Sequence, residues 1–386
     1  MRAPSAAQVA VVAMLPPLTM NLAVGLQPVF SDGSRLPPAQ AGALVGLYAL
    51  GLGLGQFLAG NAADHWGRRP TLLAGLALAT VATLLGTLAD AAPLLLASRL
   101  LAGLGLATAL VVPRACLRDV HAGQSLQRAM AVLSMVFALA PAITPPLAWA
   151  ATELWSWRAA LGLGAALVTI ALVASWHGFP ETRPPGTRPP SLAAWAALQR
   201  HAGVRRTVLA FACAAAPFFV IAALGPAALQ SSVGFSPGAA ALLLGGTYLG
   251  FAMGSQWVRH RAATPGAHHV ALGIGLVAAG ALLLAATLAW PATALWILGL
   301  TLYAIGHGVV FPASFSLVLQ DVPHQAGIAA AAIGTVHMVA GACSAWIAGA
   351  LPLAPHPMLV LAVGATAGAS ALAWWRMPRP AVAPAR

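Results

Sequence analysis

The chain has 386 residues, 60% of them apolar and 7% charged, with 19 basic side chains against 7 acidic ones. A soluble domain carries about 25% charged residues, so a water-soluble globular fold is excluded and the bilayer is the solvent. The net charge of +12 does not mark a nucleic-acid binder either, because every basic residue is Arg and no continuous basic stripe with interleaved aromatics occurs.

A spanning helix needs roughly 20 apolar residues, and lipid offers the backbone no hydrogen bonds, so spans are helices or closed barrels. The apolar runs here are continuous rather than alternating, which excludes the barrel. They predict helices near 7–29, 41–62, 70–89, 94–116, 127–149 and 157–178, then near 206–230, 238–258, 269–289, 293–319, 326–349 and 357–376. Pro16-Pro17 interrupts the first run and a polar loop follows it, so it reads as a spanning helix rather than a cleaved signal. Between the two sets lies Pro180-Glu-Thr-Arg-Pro-Pro-Gly-Thr-Arg-Pro-Pro190, a stiff linker by composition. The expected architecture is an all-α membrane protein of twelve transmembrane helices in two pseudo-symmetric six-helix bundles. The bundles are expected at 1–180 and 206–386, joined by a cytoplasmic linker at 181–205.

Basic residues collect on the cytoplasmic side of membrane proteins. With the N-terminus placed there, 16 of the 19 arginines fall in cytoplasmic segments or flanks, and only Arg35, Arg99 and Arg158 fall elsewhere. Both termini are therefore expected in the cytoplasm. The halves also echo each other: Gly103-Leu-Gly105 precedes Asp119, and Gly306-His-Gly308 precedes Asp321, with 14 and 13 residues from the second Gly to the acid. Such duplication marks transporter folds built from repeats. The loop holding Gly254, Arg259 and Arg261 looks like a decayed copy of the corresponding loop of the first half. Cys116, Cys213 and Cys343 are far apart, so neither a disulfide framework nor a metal site is expected, and no cofactor motif occurs.

Between the second and third predicted helices stands Gly60-Asn-Ala-Ala-Asp64-His-Trp-Gly67-Arg68-Arg69. Asp64 lies at a helix end, where it is placed to cap or to pair with an Arg across the interface between the halves; such a pair holds one access state and breaks in the other. The bland reading is a positive-inside anchor with an incidental acid. The spacing Gly-x-x-x-Asp-x-x-Gly-Arg-Arg in this location resembles the loop between helices 2 and 3 of the major facilitator superfamily of transporters. That resemblance implies the twelve-helix fold and makes Gly60, Asp64, Gly67, Arg68 and Arg69 a conformational latch.

Arg99-Leu-Leu-Ala-Gly103 is similar to the superfamily's Arg-x-x-x-Gly motif, which implies a cavity-facing Arg99 with a part in proton coupling; the alternative is an Arg that snorkels to the outer interface. Arg114-Ala-Cys-Leu-Arg118-Asp119 and Leu139-Ala-Pro141-Ala-Ile-Thr-Pro145-Pro146 resemble the Bcr/CflA-type drug exporters and their phenicol-exporting relatives. Trp157-Arg158, Pro180-Glu181-Thr182, Pro217-Phe218-Phe219 and Val233-Gly234-Phe235-Ser236 extend that resemblance. Two departures stand out. Leu18-Thr19-Met20-Asn21-Leu22 has no acid where that branch often has one, and Ala140 and Leu147 replace Gly in the fifth helix.

All seven acids, Asp32, Asp64, Asp90, Asp119, Glu153, Glu181 and Asp321, map to loops or helix ends. Asn21, Gln27 or a backbone carbonyl is left to satisfy Arg99, and with Arg99 as the cavity's fixed charge, neutral or anionic substrates are expected over permanent cations. Histidine titrates near neutral pH, so His307 and His337, mid-helix, join Arg99 as coupling candidates; the bland reading is a neutral His bonded between helices. Met20, Asn21, Gln27, Phe137, Phe218, Phe219 and Phe311 are cavity candidates, with Tyr248 beside them. Gly51, Gly55 and Gly60 on the second helix and Gly334, Gly341 and Gly349 on the eleventh suit close contact between those two helices. No catalytic constellation occurs. The expected protein is a secondary transporter, monomeric in the bacterial inner membrane, exporting amphipathic drug-like molecules against proton influx. The alternatives are an uncoupled facilitator or exporter of sugars or metabolites and, more remotely, a receptor on a transporter fold.

Overall fold

The computed structural model describes residues 4–25, 38–121, 123–185, 196–198, 200–261, 264–322 and 326–376. Twelve long helices take up most of them: α1 (Ala6–Gly25), α2 (Pro38–His65), α3 (Arg68–Leu88), α4 (Ala92–Val120), α5 (Gly123–Leu154), α6 (Trp157–Gly178), α7 (Ala202–Val233), α8 (Pro237–His260), α9 (Gly266–Ala286), α10 (Thr293–Asp321), α11 (Ala326–Ala350) and α12 (Pro355–Arg376). Among the described residues there is no strand. Ten of these helices are long and apolar enough to cross a membrane, and α1 adds a shorter apolar stretch over Ala7–Ala23. Large apolar side chains such as Ile170, Leu242 and Leu282 stand on the outside, where lipid meets them.

Helix ends follow local chemistry. α7 stops at Gly234, which takes φ 70°, a conformation open to Gly without a Cβ penalty. Two residues on, Ser236 Oγ accepts the Ala239 N–H at 3.2 Å and Pro237 opens α8, the ordinary start of a helix. α6 starts the same way, with Ser156 Oγ accepting from Ala159 N–H at 3.3 Å. α4 and α5 run several residues beyond their expected ends, and at the end of α4 Asp119 finds Arg68 as a partner.

The helix contacts repeat with an offset of six. α2 packs on α4, α3 on α4, α1 on α5 and α3 on α6; likewise α8 packs on α10, α9 on α10, α7 on α11 and α9 on α12. The halves meet through α2 against α11 and its counterpart, α8 against α5. One internal register differs from the sequence expectation. A Cβ at Gly105 would stand 2.5 Å from Gly75 O on α3, and one at Gly306 would stand 2.8 Å from Gly273 O on α9. Gly105 is therefore the counterpart of Gly306, not of Gly308. Gly103 and Gly308 face α2 and α8 instead, at Tyr48 O and Phe251 O. The Gly-x-Gly letters repeat because each helix needs two close crossings, while the order of the two crossings is reversed.

α2 and α11 do face each other, with Gly334 at the contact as expected, but Gly51, Gly55 and Gly341 serve other neighbours. On α2, Gly51 and Gly55 lie against Leu100 and Leu104 of α4, Gly60 has nothing within 4 Å, and Gly46 and Gly53 face Ala342 and Val339 of α11. Positions four apart share a helix face and positions seven apart share another, so the two sets serve two neighbours. On α11, Gly334 meets Gln56 of α2, whereas Gly341 lies against the Phe219 ring of α7.

Candidate functional site

At the end of the bundle that carries Arg68, the chain builds a closed charge cluster. Gly67 takes φ 109° between α2 and α3, and a Cβ there would stand 2.6 Å from Glu181 Oε2, so Gly is required twice over. This turn aims the first N–H groups of α3 at one carboxylate. Glu181 accepts from Arg68 N–H at 2.9 Å and Arg69 N–H at 3.0 Å, and also from the Thr182 and Arg183 N–H groups. A helix N-terminus favours an anion. Burial pushes the Glu181 carboxyl up, but these four donors outweigh it and hold the group below its ordinary value of 4.5.

The Arg68 side chain, 2% exposed, spans two acids: Nη1 donates to Asp64 Oδ1 at 2.5 Å and Nε to Asp119 Oδ2 at 2.9 Å. Thr182 Oγ1 donates to the same Asp119 oxygen at 3.2 Å. Arg69 reaches Trp176 O at 2.7 Å and Arg183 reaches His65 O. The cluster binds α2, α3, α4 and the segment after α6. Asp64 pairs inside the first half, in place of the cross-interface pairing expected from its position at a helix end.

Arg99, 4% exposed, neither snorkels nor lines the cavity. Its Nε donates to Leu44 O at 3.3 Å, its Nη2 to Thr19 O at 3.1 Å, and its guanidinium lies 4.4 Å from the Tyr48 ring centroid. Of the partners considered from sequence, carbonyls hold it; Asn21 does not, and Gln27 lies outside the described residues. Tyr48 OH in turn donates to Pro16 O at 2.8 Å. Gly103, one turn along α4, lets the Tyr48 backbone close in, since a Cβ there would stand 2.1 Å from Tyr48 O. The Arg-x-x-x-Gly spacing thus seats an aromatic ring under a cation and fastens α1, α2 and α4 at the end opposite the Arg68 cluster.

At mid-depth between the halves lies a pocket walled by side chains of both. The first half contributes Pro16, Pro17, Met20, Leu52 and Leu110; the second contributes Phe218, Phe219, Tyr248, Phe251, His307, Phe311, His337 and Met338. The His307 and His337 rings stand 6.4 Å apart, and His307 also lies edge-on to Phe251 at 5.2 Å. His307 Nδ1 is 3.5 Å from Tyr303 OH, while both Nε2 atoms are buried with no hydrogen-bond partner. A buried, unpartnered polar atom beside a cavity is a place for a ligand group.

Met20, Phe218, Phe219, Phe311, His307 and His337 are thereby gathered in one place. Asn21 is not in the lining: its Nδ2 donates to Pro17 O at 2.7 Å and its Oδ1 accepts from Tyr248 OH at 3.4 Å, a hydrogen bond between the halves. The Phe137 side chain and Asp32 lie outside the described ones. Sequence reasoning missed Tyr48, Glu181 as an anion at a helix start, and Phe251. The spacing Tyr303, His307, Phe311 along one face of α10 was a usable signal. Among the described residues no three His, Cys, Asp or Glu side chains converge as metal ligands would.

Two related halves around a mid-depth pocket, in a chain of apolar helices, define a multi-pass membrane transporter. The sequence matches the family model of the Major Facilitator Superfamily over residues 5–345, and the chain belongs to that superfamily. It is 28% identical to a chloramphenicol resistance protein of Pseudomonas aeruginosa over 72% of this chain and 68% of that protein. It is 26% identical to the multidrug resistance protein MdtL of Shigella dysenteriae over 87% and 86%. The fold superposes on a D-xylose-proton symporter with a TM-score of 0.77 at 14% identity, covering 97% of each chain. The resemblance to the drug-exporting branch rests on these relatives as well as on the motifs.

Proposed function

We propose that this transporter exports amphipathic, drug-like compounds across the bacterial inner membrane in exchange for protons, by alternating access of the mid-depth pocket. The observation that carries the reading is the pocket itself. Its walls are aromatic rings, which suit a flat apolar body, and its polar points are two imidazoles. A sugar facilitator needs many hydrogen-bonding side chains around its substrate, and this lining offers few. The relatives' names, chloramphenicol resistance and multidrug resistance, point the same way.

Arginine bias supports cytoplasmic termini, which puts the Arg68 cluster on the cytoplasmic side and Arg158 outside. The repeated contacts support a division into bundles at 1–180 and 206–386. The cluster then makes the cytoplasmic ends of α2, α3 and α4 one rigid block, a latch that works on the first half as a body. His307 and His337 are the two imidazoles lining the pocket, and they carry the proton coupling in this reading. A panel of phenicols and cationic dyes, assayed in proteoliposomes with and without a pH gradient, tests it. Gradient-dependent accumulation of phenicols is expected; equal movement with and without the gradient overturns the coupling, and no movement of any member overturns export.

A further inference from the structure

The contact between α2 and α11 changes character just below the pocket. Leu52 of α2 and Met338 of α11 line the pocket. One turn along each helix toward the Arg68 end stand Gln56 and Gly334, on the same faces, since positions four apart share a helix face. A Cβ on Gly334 would stand 2.5 Å from Gln56 Oε1 and 3.7 Å from its Nε2, so the carboxamide lies against bare backbone. A Cβ on Gly53 would stand 3.1 Å from Met338 Cβ and 3.3 Å from Thr335 O. A further turn along the Gln56 face, at Gly60, a Cβ would meet nothing within 4 Å. The seam is therefore tight down to Gln56 and open beyond it. Gln56 is 2% exposed, and its Nε2 is buried with no hydrogen-bond partner among the described residues. Thr335 Oγ1, on the facing helix, is buried and unpartnered as well. A buried polar group without a partner costs free energy that water returns on contact.

Resting on the export reading above, we propose that Gln56 seated on Gly334 is the gate between the pocket and the Arg68 side, from which substrate enters in that reading. Close packing holds the gate shut, with Gly46 on Ala342 O, Gly53 on Thr335 O and Met338, and Gly334 on the carboxamide. The unpartnered Gln56 Nε2 and Thr335 Oγ1 load it the other way, because both gain a partner when α2 and α11 part and water reaches them. The counterpart seam is packed just as closely, with Gly245 of α8 against Ala142 O of α5. Among the described side chains of α5 and α8, however, no buried polar atom lacks a partner. The load is thus particular to the seam of α2 and α11. The Arg68 ion pairs join α2 to α4 within the first half, so they stay intact as the seam opens.

Hydrogen exchange of the purified full chain reads the gate, because amide protons in a packed seam exchange through its opening. Gln56→Met keeps the length of the side chain and removes the amide. Peptides covering 53–60 and 331–338 are expected to exchange about tenfold more slowly than in the wild type, the size of one buried unpartnered group. The rest of the chain should be unchanged, which also reports that the variant is folded. Gln56→Glu keeps the shape and adds a charge that requires water, so the same peptides should exchange faster. Unchanged or faster exchange in Gln56→Met overturns the gate, and so does slowing spread evenly over the chain. Transport adds a second reading: phenicol export by Gln56→Met should fall severalfold while phenicol affinity holds. Full export speed with a slowed seam overturns entry by this route. A wild type that moves no phenicol defeats the export reading, and the exchange contrast still decides whether Gln56 loads the seam.

Discussion

The crossing of α3 on α4 and the crossing of α9 on α10 are built alike, with Gly75 against Gly105 in one and Gly273 against Gly306 in the other. The ends of those crossings differ in every polar detail. Where α3 begins, Glu181, Arg68, Asp64 and Asp119 interlock. Where α9 begins, Pro265 occupies the cap position and no side chain caps the helix. The pocket is unequal as well, since the first half gives it aliphatic and proline surface and the second gives it the aromatic rings and both histidines. Duplication therefore fixed the backbone packing, which tolerates little change, and left the side chains at helix ends and cavity walls free to diverge. One half became a rigid charged block and the other the chemical wall of the site.

The comparison can be broken first at the shared element. Gly105→Leu and Gly306→Leu should each cost about 3 kcal/mol, because both drive a side chain into backbone that cannot withdraw. Thermal unfolding in detergent should show similar losses, and a mild effect at one site alone would refute the equivalence of the two crossings. The next largest effect concerns the unequal pocket. His307→Gln keeps hydrogen bonding and removes titration, so accumulation against a gradient should vanish while substrate exchange continues. A proton crossing the membrane potential gains about 2.3 kcal/mol per 100 mV, enough for one site to drive export. Accumulation that persists in this variant would move coupling away from His307.

The charged block can then be graded. Asp119, 5% exposed, also accepts from Thr182, whereas Asp64 is 21% exposed. Asp119→Asn should lower stability by roughly 2 kcal/mol and Asp64→Asn by less, since the buried Arg68 loses more from the first. Asp64→Asn should still slow transport while expression stays near normal; wild-type transport would reduce the cluster to an anchor. The smallest effect belongs to Glu181, which is exposed to solvent. Glu181→Gln should cost a few tenths of a kcal/mol after screening. Because the folded carboxyl lies below its ordinary 4.5, its contribution is full above that pH and fades as pH falls through the folded value. Unfolding temperatures below pH 4.5 should fall for the wild type and fall less for the variant.

Twelve spans, their order, their duplication and the Gly60–Arg69 turn were legible in the chain, because lipid forces every span to be a long apolar helix and because Gly, Ser and Pro mark where helices stop and start. The same letters misled where a side chain had two faces to choose between. Gly51 and Gly55 turned out to serve α4, the two Gly-x-Gly pairs were out of register, and Arg99 was drawn from the cavity onto Leu44, Thr19 and Tyr48. Periodicity says which residues share a face, but the neighbour that face meets is set by contacts up to 227 residues away, as between Tyr248 and Asn21. The sequence by itself determined the fold and named both histidines and three of the four phenylalanines of the pocket. Only the tertiary structure decided which cation is satisfied by carbonyls, at Arg99, and which by acids, at Arg68.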